Sequence, residues 1–122
     1  MSLGRVLLVD DDEDIRSTLG AVLAAEGFDV LEARNGLHAL QQLLRDPLPG
    51  VILLDMMMPI MSGFEFLDVK KDDPRVRHIP VIAVTAYSKV SEVSGVVQLV
   101  RKPFDLRQVL DVLTMALEGK RP

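Results

Sequence analysis

Three aspartates, a threonine and a lysine stand just past short apolar runs. Asp10 and Asp11 follow Val6-Leu7-Leu8-Val9, and Asp55 follows Val51-Ile52-Leu53-Leu54. Thr85 follows Val81-Ile82-Ala83-Val84, and Lys102 lies two residues past a fourth run, Val96 to Val100, broken by Gln98. Three carboxylates in one cleft repel one another, and a bound dication relieves the repulsion. Oxygen-only ligands favour Mg2+ or Mn2+ over zinc, and Mg2+ takes one or two carboxylates while keeping several waters. A carboxylate beside such an ion is also a nucleophile for a phosphoryl group, giving an aspartyl phosphate. Thr85 by hydrogen bond and Lys102 by charge suit the oxygens of the transferred group.

That chemistry requires elements that bring the five residues to one place. Continuous β-branched and aliphatic runs, with no polar alternation, indicate strands buried on both faces of a parallel sheet. A weaker strand, Phe28 to Leu31, lies between the first two strong runs. Helical repeats separate the runs. Ile15, Leu19, Val22 and Leu23 recur at helical spacing and stop before Gly27, a C′ glycine by position. Leu37, Leu40 and Leu44 form the next stripe, with Asn35 as its cap and Pro47 beyond its end. Phe64, Leu67 and Lys71 follow Ser62-Gly63 and run towards Pro74. Leu106, Val109, Leu110, Leu113 and Leu117 make the clearest stripe, with Asp105 as N-cap. Strands and helices therefore alternate, which predicts an α/β fold with right-handed crossovers. In such a sheet ligands bind beyond the carboxyl ends of the strands. All five singled-out side chains fall there, on four different strand ends.

Residues 87–94, Tyr-Ser-Lys-Val-Ser-Glu-Val-Ser, are the weak place in the alternation. Three serines and two valines are poor helix formers, so at most about two turns are expected.

Composition excludes several classes. The chain of 122 residues is expected to be one domain over 1–122, with its core at about 4–118. A hydrophobic content of 48% supports a folded core, and scarce aromatics make that core aliphatic. A net charge of −4 gives little support to nucleic-acid or anionic-membrane binding. With no cysteine, thiol chemistry, disulfides and Cys-ligated zinc are excluded, and a reducing cytoplasm is expected. No apolar run approaches the roughly 20 residues of a membrane span. The five residues before the first strand are too few for a signal peptide. The length leaves no room for an output domain, so output is expected through a protein partner or a further segment.

Four motifs in order carry a family resemblance. They are Leu-Val-Asp-Asp-Asp-Glu-Asp-Ile-Arg (8–16), Ile-Leu-Leu-Asp-Met-Met-Met-Pro-Ile-Met-Ser-Gly-Phe-Glu (52–65), Ile-Pro-Val-Ile-Ala-Val-Thr-Ala (79–86) and Lys-Pro-Phe (102–104). Together they closely resemble the receiver domain of two-component response regulators. The resemblance implies a three-layer, flavodoxin-like (βα)5 fold, doubly wound, with strand order 2-1-3-4-5. It implies Asp55 as phosphoacceptor, Asp11 as a direct Mg2+ ligand and Asp10 as one acting through water. It adds the backbone carbonyl of Met57 as a third protein ligand, and Thr85 and Lys102 as phosphoryl-oxygen partners. It further implies a cis Lys102-Pro103 bond, which an X-Pro peptide adopts at small cost. The implied phosphodonor is the phosphohistidine of a sensor histidine kinase or histidine phosphotransfer domain.

Two departures from the family stand out. The stretch from Thr85 to Lys102 is several residues short, so a truncated or partly unwound fourth helix is expected. Leu99 also replaces the aromatic that many members carry on the fifth strand, with Tyr87 a substitute by position. Met57 and Tyr87 flank the expected entrance to the phosphoryl group, where bulky non-acidic side chains should hinder an attacking water.

Plainer readings compete elsewhere. Asp12, Glu13 and Asp14 read as a solvated helix start. Met56, Met57, Met58 and Met61 read as loop packing rather than as a partner surface. His38 and His78 read as surface residues, and Arg75, Arg77 and His78 as a solvated loop. Two other functions are carried alongside: a phosphorylation-independent pseudo-receiver, and a hydrolase that forms an aspartyl phosphate. The hydrolase reading lacks a general acid two residues after Asp55, where Met57 stands.

Overall fold

The apolar runs become five parallel strands. The computed structural model describes residues 2–86 and 95–119. The strands are β1 (Arg5–Val9), β2 (Asp29–Ala33), β3 (Val51–Leu54), β4 (Val81–Thr85) and β5 (Val96–Arg101). They form one sheet in the order β2-β1-β3-β4-β5. The helices among the described residues are α1 (Glu13–Ala25), α2 (Gly36–Gln42), α3 (Gly63–Lys71) and α4 (Leu106–Leu117). This is the flavodoxin-like doubly wound arrangement, with the strand order reversing between β1 and β3. The short helix expected at 87–94, and Tyr87, lie outside the described residues.

Period-two alternation along each strand explains the two apolar layers. Leu7, Val9, Ile52, Leu54, Val81 and Ala83 point to one face, where they meet Ala39 of α2, Leu43 at its end, and Phe66 and Leu67 of α3. Val6, Leu8, Val51, Leu53, Ile82, Val84 and Val100 point to the other face and meet Leu19 and Leu23 of α1 and Val109 and Leu113 of α4. Both faces are covered, so the central strands carry no polar alternation.

The helix ends are built by local side chains. Asp12 caps α1, accepting from the N–H groups of Asp14 (3.0 Å) and Ile15 (3.1 Å). This fits the solvated-start reading of residues 12–14. Asn35 caps α2, Asp105 caps α4, and Ser62 with Glu65 forms a reciprocal capping box on α3. Gly27 takes a φ of 107° just past α1, where a Cβ would be strained.

Three expectations shift. The second strand begins at Asp29; Phe28 instead closes the turn after α1, its N–H bonded to Leu23 O at 3.1 Å. On α2 the buried set is Gly36, Ala39 and Leu43, whereas Leu37 and Leu44 are exposed. The two sets have the same spacing, offset by one, so periodicity cannot distinguish them. The contact that sets the rotation is Gly36, whose N–H bonds to Met61 O at 3.0 Å. On α3 the buried side chains are Phe66, Leu67 and Lys70 rather than Phe64, Leu67 and Lys71. Lys70 goes inside because its amine donates to Arg77 O at 3.1 Å, and burial lowers its pKa.

Arg75 is also more than solvated loop, since its guanidinium donates to Leu43 O at the end of α2 and pairs with Asp46 at 3.3 Å. Met56 is core, and Met58 and Met61 pack against it. Met57 departs from the packing expectation, with 57% of its surface exposed.

Gly63 lets α3 start against the loop that leaves β3. A Cβ there would lie 2.7 Å from both Asp55 O and Met56 Cα, which are backbone atoms and cannot swing away. Gly63→Ala is therefore expected to destabilise the fold by about 1–3 kcal/mol. Urea unfolding followed by circular dichroism should show an earlier midpoint, and an unchanged midpoint would contradict this close approach.

Candidate functional site

The backbone brings the strand ends together before any side chain acts. Asp10 N–H bonds to Ala33 O at the end of β2 (3.1 Å), and Asp55 N–H bonds to Val9 O at the end of β1 (2.9 Å). Lys102 N–H bonds to Thr85 O at 3.0 Å, which ties the ends of β4 and β5. These links place the three acidic residues in one pocket. Asp10, Asp11 and Asp55 each offer a carboxylate oxygen, and the three oxygens lie within 4.8 Å of one another. Asp10 and Asp55 are buried and Asp11 is exposed.

Lys102 closes the pocket. Its Nζ donates to Asp10 Oδ2 at 2.8 Å and to Asp55 Oδ2 at 3.2 Å. The Lys102-Pro103 bond is cis, as expected. The remaining oxygens are also engaged. Asp10 Oδ1 accepts from Asp12 N–H at 2.9 Å, and Asp55 Oδ1 accepts from Met57 N–H at 3.2 Å. Thr85 is 1% exposed, at the carboxyl end of β4.

The electrostatics follow from this crowding. Burial pushes the Asp55 carboxyl up; Lys102 pulls it back, Asp10 pushes it up again, and the Met57 N–H pulls it down. The net is a carboxyl above its ordinary value and hence a more basic oxygen. Burial alone would lower Lys102, but the hydrogen bond and charge of Asp10, then those of Asp55, carry it above the ordinary lysine value. The lysine is thus firmly charged, and one cation faces three carboxyl groups. An all-oxygen donor set with excess negative charge suits a hard dication such as Mg2+.

The structure thus gathers Asp10, Asp11, Asp55 and Lys102, with Thr85 tied to Lys102 through the backbone. His38 and His78 are not at this pocket: His38 Nδ1 accepts from Arg34 N–H at 3.1 Å, and His78 is exposed. Sequence reasoning missed Arg16. Its Nη1 donates to Asp10 O at 2.8 Å and its Nε pairs with Glu32 at 3.1 Å. A signal was present, because a basic residue near a helix start opposes the helix dipole and calls for a local reason.

The sequence and the fold match known proteins. The family profile described as the response regulator receiver domain matches residues 6–114, and the chain belongs to that family. The chain is 43% identical over 106 residues to the response regulator PleD of Caulobacter vibrioides, covering 83% of this chain and 23% of PleD. It therefore spans under a quarter of that relative's length. It is 42% identical over 83 residues to the polar-differentiation response regulator DivK of Brucella anthropi, covering 68% of this chain and 67% of DivK. Among solved structures, the chemotaxis response regulator CheY4 of Vibrio cholerae superposes with a TM-score of 0.82 at 27% identity, covering 95% of this chain and 98% of that one.

The raised Asp55 carboxyl sets a pH dependence. Its folded pKa lies above its unfolded value of about 3.9, so the ionised form opposes folding. That penalty grows as pH rises from the ordinary carboxylate range through the folded value, and it is complete above it. Without divalent cations, Asp55→Asn should therefore melt higher than wild type at pH 7, by about 4 °C for each kcal/mol relieved. The gain should shrink as pH falls through the folded value towards the ordinary carboxylate range, and vanish below it. Thermal melts across pH check this, and a variant that melts lower at pH 7 would contradict it.

Proposed function

We propose that this domain accepts a phosphoryl group on Asp55, Mg2+-dependently, from the phosphohistidine of a sensor histidine kinase or histidine phosphotransfer domain. The observation that carries the proposal is the Lys102 ammonium held between Asp10 and Asp55, at the mouth of an oxygen-only acidic pocket. A carboxylate of Asp55 attacks the phosphorus. A P–O bond forms, the P–N bond to the donor imidazole breaks, and the imidazole leaves with the electron pair. Lys102 neutralises charge on the transferred oxygens, and Thr85 holds one of them by hydrogen bond. Asp11 directly, Asp10 through water, Asp55 and the Met57 carbonyl would hold the ion. When bound, Mg2+ supplies charge neutralisation to the phosphoryl oxygens. New oxygens on Asp55 then bias the domain between two conformations.

One feature of the surface supports a protein donor. An apolar hollow of about 300 Å3 lies between the start of α1 and the chain just past Lys102, lined by Ile15, Thr18, Leu19, Phe104 and Leu106 with Asp14 at its rim. Output passes to a protein partner or to a segment beyond this one. None of the helices among the described residues is long and apolar enough to cross a membrane. The cytoplasm is where the donor kinases' phosphohistidines are expected, and we place the domain there. A module of this kind performs its own phosphotransfer and a slow autodephosphorylation, and it is not a metabolic enzyme.

The test is to incubate the protein with a small phosphodonor, with and without Mg2+, and to measure its intact mass. One stable, Mg2+-dependent phosphoryl adduct that is lost in Asp55→Asn is expected. No adduct would favour a pseudo-receiver, and continuous phosphate release would favour a hydrolase. Met57, exposed two residues after Asp55, adds a second expectation, because a bulky apolar side chain there would hinder an attacking water. Met57→Asn should shorten the lifetime of the adduct several-fold. A lifetime equal to or longer than that of wild type would contradict the screening role.

A further inference from the structure

We infer that Arg16 is a positioning residue for the cation pocket, setting the direction in which Asp11 presents its carboxylate. The inference rests on the reading of Asp10, Asp11 and Asp55 as a cation site. Arg16 sits in α1, four residues after the Asp12 cap, with its side chain only 15% exposed. Its planar fork has two partners on different elements. Nη1 donates to the backbone oxygen of Asp10 at 2.8 Å, and Nε pairs with Glu32 Oε1 on β2 at 3.1 Å.

Peptide planarity makes the first contact directional. The Asp10 oxygen, the Asp11 nitrogen and the Asp11 Cα lie in one plane. Holding that oxygen fixes the plane, and with it the point from which the Asp11 side chain departs. The rest of Asp10 is already fixed, by Ala33 O on its N–H, Asp12 N–H on Oδ1 and Lys102 on Oδ2. Asp11 is the exposed member of the trio, and among the described residues no hydrogen bond frames its side chain. Arg16 supplies the frame through the shared peptide, and Glu32 holds Arg16. Groups that orient a metal's ligands commonly change affinity by about 10–100-fold when removed.

Charge and positioning predict opposite signs, which makes the inference testable. Arg16 is a cation beside a cation site, so through space its removal should tighten Mg2+ binding. Positioning predicts that Arg16→Met weakens it by about 10-fold. Arg16→Lys keeps the charge but carries its donors on a single nitrogen in place of a planar fork, and it should also weaken binding. The readout is the Mg2+ dissociation constant from isothermal titration calorimetry, on folded protein verified by circular dichroism. Arg16→Lys carries the test should Arg16→Met fail to fold. Unchanged or tighter Mg2+ binding in a folded Arg16 variant overturns the inference and leaves the site reading intact. A wild-type protein that takes up no Mg2+, or takes it up equally with Asp11→Asn and Asp55→Asn, overturns the site reading and the inference with it.

Discussion

One ammonium group holds the acidic pocket together. Lys102 Nζ stands within hydrogen-bonding distance of both Asp10 and Asp55, two carboxylates that are almost wholly buried. Without it, two buried acidic side chains would face each other with no opposing charge between them. With it, the pocket holds carboxylate oxygens and an amine side by side, the groups that the proposed chemistry requires. Burial raises the Asp55 carboxyl, and the Lys102 charge offsets that rise only in part while Asp10 adds to it. The same imbalance would serve the proposed roles of Asp55 as nucleophile and of the pocket as a cation site.

The fold exists, in functional terms, to deliver those groups to one edge. β1 and β3 are adjacent, so the residues following each strand become neighbours, and the Asp55–Val9 hydrogen bond fixes their relation. β4 and β5 are likewise adjacent, and the Lys102–Thr85 backbone bond pairs the two residues suited to phosphoryl oxygens. Apolar layers on both faces hold the strands rigid. Each functional side chain leaves a strand end instead of a long loop, which limits its freedom to move out of register.

Much of this is legible in the sequence, for a physical reason. Strands buried on both faces announce themselves as unbroken apolar runs, and Val51–Leu54 matches its strand end to end. Cap residues act locally, so Asn35 and Asp105 could be placed without knowing the fold. The acidic residues stand out because a buried strand that ends directly on a charge carries that charge to the edge of the sheet, where ligands bind. What was hidden depends on tertiary contact. The rotation of α2 turns on Gly36 meeting Met61, twenty-five residues away in sequence. Lys70 is buried because Arg77 O lies within its reach, and Arg75 caps α2 from a distant loop. Arg16 reads as one more surface charge until Asp10 O and Glu32 appear on either side of it.

The central claim is that Asp55 is a buried, basic carboxylate in a cation pocket. It is tested most directly by carbonyl-13C NMR of the Asp55 side chain, titrated with pH in the absence and presence of Mg2+. The account predicts a midpoint above the ordinary carboxylate range without the ion, and a clear fall when Mg2+ is bound. A midpoint in the ordinary range that Mg2+ leaves unmoved would contradict it.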